Sequence, residues 1–183
     1  PGSGRFEVNA NSIVFGYPTP AQPDSSVRFD RLMLGFSDVA LNASERIVGN
    51  ANGTVSIYQN GADPSTAFDP ATYAGTGATV RLNTPLFTAE SGAVLGLYAG
   101  GALSVTAPDG TTASTDKVGG QIDLHAGRIH IASAIVLPTG KLTLTAEGDI
   151  TLAAGSRLDV SGRSLAFFDQ VRNTWGGDIV IES

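Results

Sequence analysis

Three features of the sequence predict an all-β fold, a parallel β-helix (β-solenoid) with lateral loop inserts. A short unit, apolar-x-apolar-x-Ala, recurs along the chain, and glycine separates successive apolar pairs. Charged residues make up only 15% of the 183 residues while there are 23 glycines, so the surface must be covered by Thr, Ser, Asn and Gly rather than by Lys and Glu.

Taken in chain order, Pro1-Gly2-Ser3 reads as a cloning scar. Phe6-Glu-Val8-Asn-Ala10 followed by Ile13-Val-Phe15 is the first copy of the unit. Val39-Ala-Leu41-Asn-Ala43 with Ile47 fits the same frame. Leu95-Gly-Leu97-Tyr-Ala99 with Leu103-Ser-Val105 superimposes without gaps on Leu142-Thr-Leu144-Thr-Ala146 with Ile150-Thr-Leu152. Ile122-Asp-Leu124-His-Ala126 with Ile129-His-Ile131 fits with one residue deleted in the turn, and a half-copy begins at Ile179.

Each apolar pair is a period-2 strand too short to share one core as hairpins, so the pairs suit the sides of a coil. The 20 residues from Ile122 to Leu142 make one plausible full coil. Val80-Arg-Leu82 lies 15 residues before Leu95, too few for a full turn, and is expected on a different face. Residues 4–78 read as irregular first coils with long loops, and 79–183 as regular coils interrupted by an insert at 163–177, all one continuous domain. Phe15-Gly-Tyr17-Pro18 with Phe29, and Phe68 with Tyr73, read as lateral loops. Asp63-Pro64 and Asp69-Pro70 mark turn starts.

The net charge is −6, with no cysteine. Nine scattered arginines and two lysines form no basic stripe, which argues against a nucleic-acid or anionic-membrane partner. Disulfides and thiolate metal sites are excluded. No apolar run reaches a membrane span, and no signal-peptide pattern is present.

The stretch GKLTLTAEGDITLAAGSRLDVSG from Gly140 to Gly162, with GFSDVALNASERI (Gly35 to Ile47) and GGDIVIES (Gly176 to Ser183), resembles the filamentous-haemagglutinin-like exoproteins of bacterial two-partner secretion. The likeness covers about two thirds of the chain. It implies a right-handed β-helix from the shaft of a large secreted or cell-surface protein, an adhesin, haemagglutinin or toxin-presenting stalk. An outer-membrane transporter would be the partner during secretion. The family's amino-terminal Asn-Pro-Asn type signature has no match here, so the stretch reads as an internal or C-terminal piece of the shaft.

No G-x-S-x-G, H-E-x-x-H, P-loop or EF-hand pattern occurs, and the chain is read as a non-enzyme without cofactor or bound metal. His125 and His130 are expected to point outward near Asp123 as solvated polar residues. Asp149 stands one coil beyond Arg128, where a cross-coil ion pair is expected. The insert Arg163 to Trp175 holds the only Trp and two adjacent phenylalanines, with Leu165, Phe168 and Val171 near helical spacing. It reads either as a cover over the side of the coils or as an exposed platform. Phe167, Phe168, Arg172 and Trp175 are the candidate residues for contact with a host or neighbouring-cell glycan or protein. The alternative function is a carbohydrate-binding or polysaccharide-cleaving β-helix. Open strand edges on the first and last coils predict capping by the N-terminal segment or end-to-end self-association.

Overall fold

The computed structural model describes residues 2–18, 27–63, 67–108 and 114–183, and the side chain of Phe167 lies outside that description. Pro1, Pro64 and Asp109-Gly110 therefore fall outside the described residues. Within them the chain is all-β, with fifteen strands and no helix. Thirteen strands form one curled, mostly parallel, solenoid-like sheet, and two form a separate hairpin.

The strands are β1 (Gly4–Gly16), β2 (Arg31–Leu34), β3 (Phe36–Asn50), β4 (Asn52–Tyr58) and β5 (Thr79–Asn83). They continue as β6 (Leu86–Ala89), β7 (Val94–Thr106), β8 (Gln121–Ala132), β9 (Ala134–Val136) and β10 (Lys141–Ala146). The last are β11 (Ile150–Leu152), β12 (Arg157–Asp159), β13 (Ser164–Phe167), β14 (Gln170–Asn173) and β15 (Asp178–Glu182).

Pairing sorts these strands into three columns, or faces. On the first face β2 pairs β4, β4 pairs the start of β7, and the ladder runs on through the start of β8 and β10 to β15. The second face stacks the first halves of β1 and β3, then β5, the ends of β7 and β8, and β11. The third stacks the second halves of β1 and β3, then β6, β9 and β12. Long strands such as β3 and β8 turn from one face to the next.

The period-2 pattern produces this register directly. Leu95, Ile122, Leu142 and Ile179 stand opposite one another, as do Leu97, Leu124, Leu144 and Ile181. Their alternation sends the apolar set inward, and Leu97, Ile122, Leu124, Leu142 and Leu144 are all buried. The 20-residue repeat in register from Ile122 to Leu142 and the one-residue turn deletion at Ile129 both stand as expected, with Ile150 opposite Ile129. Val80-Leu82 does lie on a different face from Leu95.

One alignment differs. Val39-Leu41 and Phe6-Val8 belong to the second face, opposite Val80-Leu82, rather than in the frame of Leu95. Both faces use the same apolar-x-apolar-x-Ala phrase, so the phrase identifies a strand without identifying its column. Phe15 also departs from the lateral-loop reading: it ends β1 on the third face, partly buried and packed against the core.

The third column skips a level. After β7 the chain leaves the sheet, and β6 pairs straight across to β9, Phe87 opposite Ile135. Two buried hydroxyls clasp this junction: Ser133 Oγ donates to the Thr84 carbonyl at 2.5 Å, and Thr88 Oγ1 donates to the Val136 carbonyl at 2.7 Å. Each satisfies a buried carbonyl where the ladder is interrupted. The returning end of the insert is held by Lys117 beside Glu90 at 3.5 Å and by Val118 N donating to Ser91 Oγ.

Candidate functional site

A concave stretch of the described surface lies on the first face, where outward side chains of neighbouring strands meet a docked loop. Residues 59–63 leave the sheet after β4, and residues 67–76 lead back to β5. Their stem is a short antiparallel contact, with Gln59 N donating to the Thr76 carbonyl at 3.0 Å and Thr76 N to the Asn60 carbonyl at 2.9 Å. Asp69 starts the turn as expected: its carboxylate accepts from Ala71 N and its carbonyl accepts from Tyr73 N.

An aromatic stack then pins the loop to the sheet. Phe68 meets Tyr73 at 5.4 Å between centroids, and Tyr73 meets Tyr58 at 5.6 Å. The Tyr73 hydroxyl also accepts from Ala62 N at 3.2 Å. Gly75 is required here, because any Cβ would collide with the Tyr58 ring. Tyr58, 6% exposed, becomes the buried root of the wall.

Against this wall runs a groove of about 320 Å³, floored by Tyr98 and His125 and ending at Glu147. On the other side of Tyr98 it continues as a broader, open groove of about 690 Å³ bordered by Arg28, Asn52, Thr54 and Asp123. The two grooves share Tyr98 as a lining residue and succeed one another along the first face; together they are called the trough. Tyr98 and His125 occupy opposite positions on β7 and β8, with ring centroids 5.5 Å apart. Gly96 leaves one flank of Tyr98 without a side chain.

The electrostatics of the trough follow from its pairs. Arg28 makes a two-pronged contact to Asp30, Nε to Oδ2 at 2.9 Å and Nη2 to Oδ1 at 3.0 Å. Thr54 adds its N–H and hydroxyl to Asp30 Oδ1 at 2.9 and 3.1 Å. Burial would raise the Asp30 pKa, but the bonds from Arg28 and Thr54 outweigh it and hold the carboxyl below its ordinary value. The same pairing pushes the Arg28 guanidinium higher still. Burial raises the Tyr98 phenol, helped by Asp123, and burial likewise raises Tyr58. Both hydroxyls are protonated at neutral pH and serve as donor and acceptor. Asp123 and Glu147 take part in no ion pair among the described residues.

Set against known protein families, curated proteins and solved structures, the chain matches none.

The histidines do not form a pair. His125 faces the trough, whereas His130, further along the same strand, is exposed on the second face between Ser104 and Thr151. Asp149 stands beside Arg128 in the ladder, yet no ion pair joins them. Among the described residues no group of three His, Asp or Glu is gathered as a metal would require, and no helix is long and apolar enough to cross a membrane.

The insert at 163–177 is a β-hairpin of β13 and β14 rather than an element with helical spacing. It stands away from the sheet: Phe168 is fully exposed in the turn with φ +53°, and Trp175 is 90% exposed beyond β14. Arg172 is opposite Leu165 and exposed. The candidate residues therefore share one projecting hairpin, and Phe168 and Trp175 form no cover over the sheet. The hairpin base is tied down by Thr174, which joins Arg163 and, through a hydroxyl contact of 2.7 Å, Thr139.

A further groove of about 460 Å³ follows the corner between the second and third faces, along Asn9, Asn42 and Asn83. These asparagines stack in register, and Asn42 Nδ2 donates to Asn9 Oδ1 at 2.8 Å, so the amides of Asn9 and Asn42 bond each other. With no aromatic side chain, this groove offers less for a ligand than the trough. The trough residues other than Asp123 and His125, and apart from Pro70 and Tyr73, which the sequence places in a turn and a lateral loop, escape the sequence reading. Outward positions follow no apolar rhythm, and the only available signal was tyrosine at two of them, Tyr58 and Tyr98, with a Gly-rich loop between.

Proposed function

We propose that the chain is a structural and adhesive shaft segment of a large secreted or cell-surface bacterial exoprotein, similar to the filamentous haemagglutinins, and that it is not an enzyme. In this reading the three strand columns close into a right-handed parallel β-helix. The observation that carries the proposal is the unbroken inward register from β4 to β15 on the first face, maintained although stretches of chain of very different length separate β4 from β5, β7 from β8 and β12 from β15. A stack whose levels contact only their neighbours tolerates such loops, which then become the contact surfaces of a shaft. Its partners are a host or neighbouring-cell glycan or protein, and an outer-membrane transporter during export.

The geometry favours adhesion over cleavage. Asp123 and Glu147 are the free carboxylates of the trough, but Asp123 stands opposite Thr143, four positions before Glu147. At roughly 3.3 Å per residue and 4.8 Å per strand spacing their backbones lie roughly 14 Å apart, so the two side chains would have to lean toward each other to approach the roughly 5–9.5 Å carboxyl separation of glycosidases.

Beads coated with the chain test the proposal against beads carrying an unrelated all-β protein of similar charge. The expected outcome is retention on intact bacterial or host cells, with a small-angle scattering profile of a short prism. Equal retention of both bead types, or a scattering profile of an expanded chain, would overturn it.

A further inference from the structure

We infer that the trough on the first face binds an oligosaccharide of uncharged or amino-bearing pyranose units, lying along the strand direction with a sugar face against the Tyr98–His125 pair. The inference goes beyond the shaft reading and does not depend on it.

The floor has the shape this chemistry needs. Tyr98 and His125 project from adjacent strands at opposite register positions, and their rings meet with centroids 5.5 Å apart at an interplanar angle of 58°, an angled pair that offers a sugar one ring face and the edge of the other. The C–H face of a pyranose is apolar and carries slight positive charge, which suits the negative face of an aromatic ring. Its hydroxyls, around the rim, require partners that both donate and accept. The Tyr98 phenol, the imidazole of His125 and the carboxylates of Asp123 and Glu147 stand along that rim. The wall is already built: Phe68, Tyr73 and Tyr58 hold the loop in place before any ligand arrives, so little ordering entropy opposes binding.

Charge selects among saccharides. The trough carries two free carboxylates, while Arg28 at its margin is neutralised by Asp30. A uronic acid or sulfated unit would meet repulsion from Asp123 and Glu147, whereas hydroxyls and ammonium groups would be accepted. A peptide is disfavoured for a different reason. The central floor strand, β7, is hydrogen-bonded to β4 on one side and β8 on the other, so no free edge is open to an added strand.

The test is a panel of neutral, amino-bearing and acidic oligosaccharides, followed by calorimetry and imidazole NMR on whichever is retained. We expect retention of neutral or amino-bearing chains, a shift of the His125 ring signals on titration, and no retention of heparin or polygalacturonate. Tyr98→Ala is expected to weaken binding by about tenfold or more and His125→Gln by several-fold. Trp175→Ala, on the separate hairpin, is expected to leave affinity unchanged. A panel with no bound saccharide, retention of acidic chains alone, or His125 signals unmoved by a bound saccharide would each overturn the inference. So would unchanged affinity in His125→Gln, an exposed substitution that leaves the core intact, or loss of binding in Trp175→Ala.

Discussion

Asp159 has the most consequential single side chain outside the trough. It ends β12 and gathers the residues that lead into the hairpin. Ser161 donates to its Oδ1 from both N, at 2.9 Å, and Oγ, at 2.5 Å, while Arg163 Nη2 reaches its Oδ2 at 3.1 Å and Arg157 also bonds Oδ2. Burial would raise this carboxyl, but Ser161, Arg157 and Arg163 together hold it well below the usual carboxylate range. A carboxyl depressed in the folded state stabilises the fold above its unfolded pKa of about 3.9, and that contribution is lost as pH falls below it. We expect Asp159→Asn to lower stability at neutral pH by about 1–3 kcal/mol. The variant should also show a shallower loss of stability between about pH 4 and pH 2. Denaturant titrations of both proteins across that range check it; parallel acid limbs would show that the carboxylate is not responsible.

At the scale of elements, the first face depends on glycine at one register position and leucine at another. Gly120, Gly140 and Gly177 precede β8, β10 and β15, and the backbone bonds Lys141 N to Gly120 O at 3.1 Å and Asp178 N to Gly140 O at 3.0 Å run through them. A Cβ on Gly140 would collide with the Gly120 carbonyl, and one on Gly177 with the Gly140 carbonyl. We therefore expect Gly140→Ala to destabilise by about 1–3 kcal/mol, by forced displacement rather than by lost contacts. Leu124, between Leu97 and Leu144 in the inward column, should lose about 2–5 kcal/mol on replacement by Ala. Thermal melts in which Thr143→Ala, at an outward position, proved as damaging as Leu124→Ala would reverse the inward and outward assignment.

That assignment was legible in the sequence, because period-2 alternation must place one set of side chains in the core. Column identity was not. Val39 and Leu95 carry the same phrase, and only the loop lengths, which carry no periodic signal, decide which face each strand joins. The skipped level between β6 and β9 was hidden for a related reason: Thr84, Thr88 and Ser133 look like ordinary surface residues until pairing buries them. The trough was hidden more deeply. Tyr73 acquires its role from contacts with Tyr58 and Phe68, which depend on how a loop of polar and small residues lies on the sheet. The hairpin at 163–177 gave the opposite outcome: its unusual composition stood out, while its spacing suggested a helix and the chain folds it as two strands.

The ends of the stack decide how the whole molecule behaves in solution. At the β15 end, side chains belonging to the inward columns are left uncovered, with Leu152 45%, Ile179 40% and Ile181 49% exposed. β11, β12 and β15 each pair with a described strand on one side only. At the β1 end, large rings partly cover the opening, with Phe6 against Phe36 at 5.8 Å. On the first face there, Arg31 takes the register position of Val55 and lies 3.8 Å over the Phe29 ring. A charge at an inward position discourages a further strand from stacking there, whereas the aliphatic β15 end has no such guard. Association of the isolated chain should therefore proceed through the β15 end and favour pairs of molecules over long filaments, because the β1 end resists the alternating contact that a filament needs. Light scattering should show an average mass that rises with concentration and levels near twice the monomer. Ile181→Lys, which puts a charge into the uncovered column, should hold the chain monomeric at the same concentrations. A mass that keeps climbing past the dimer would mean that Arg31 does not guard its end, and a wild-type chain that stays monomeric would mean that the exposed aliphatic end is not a contact surface.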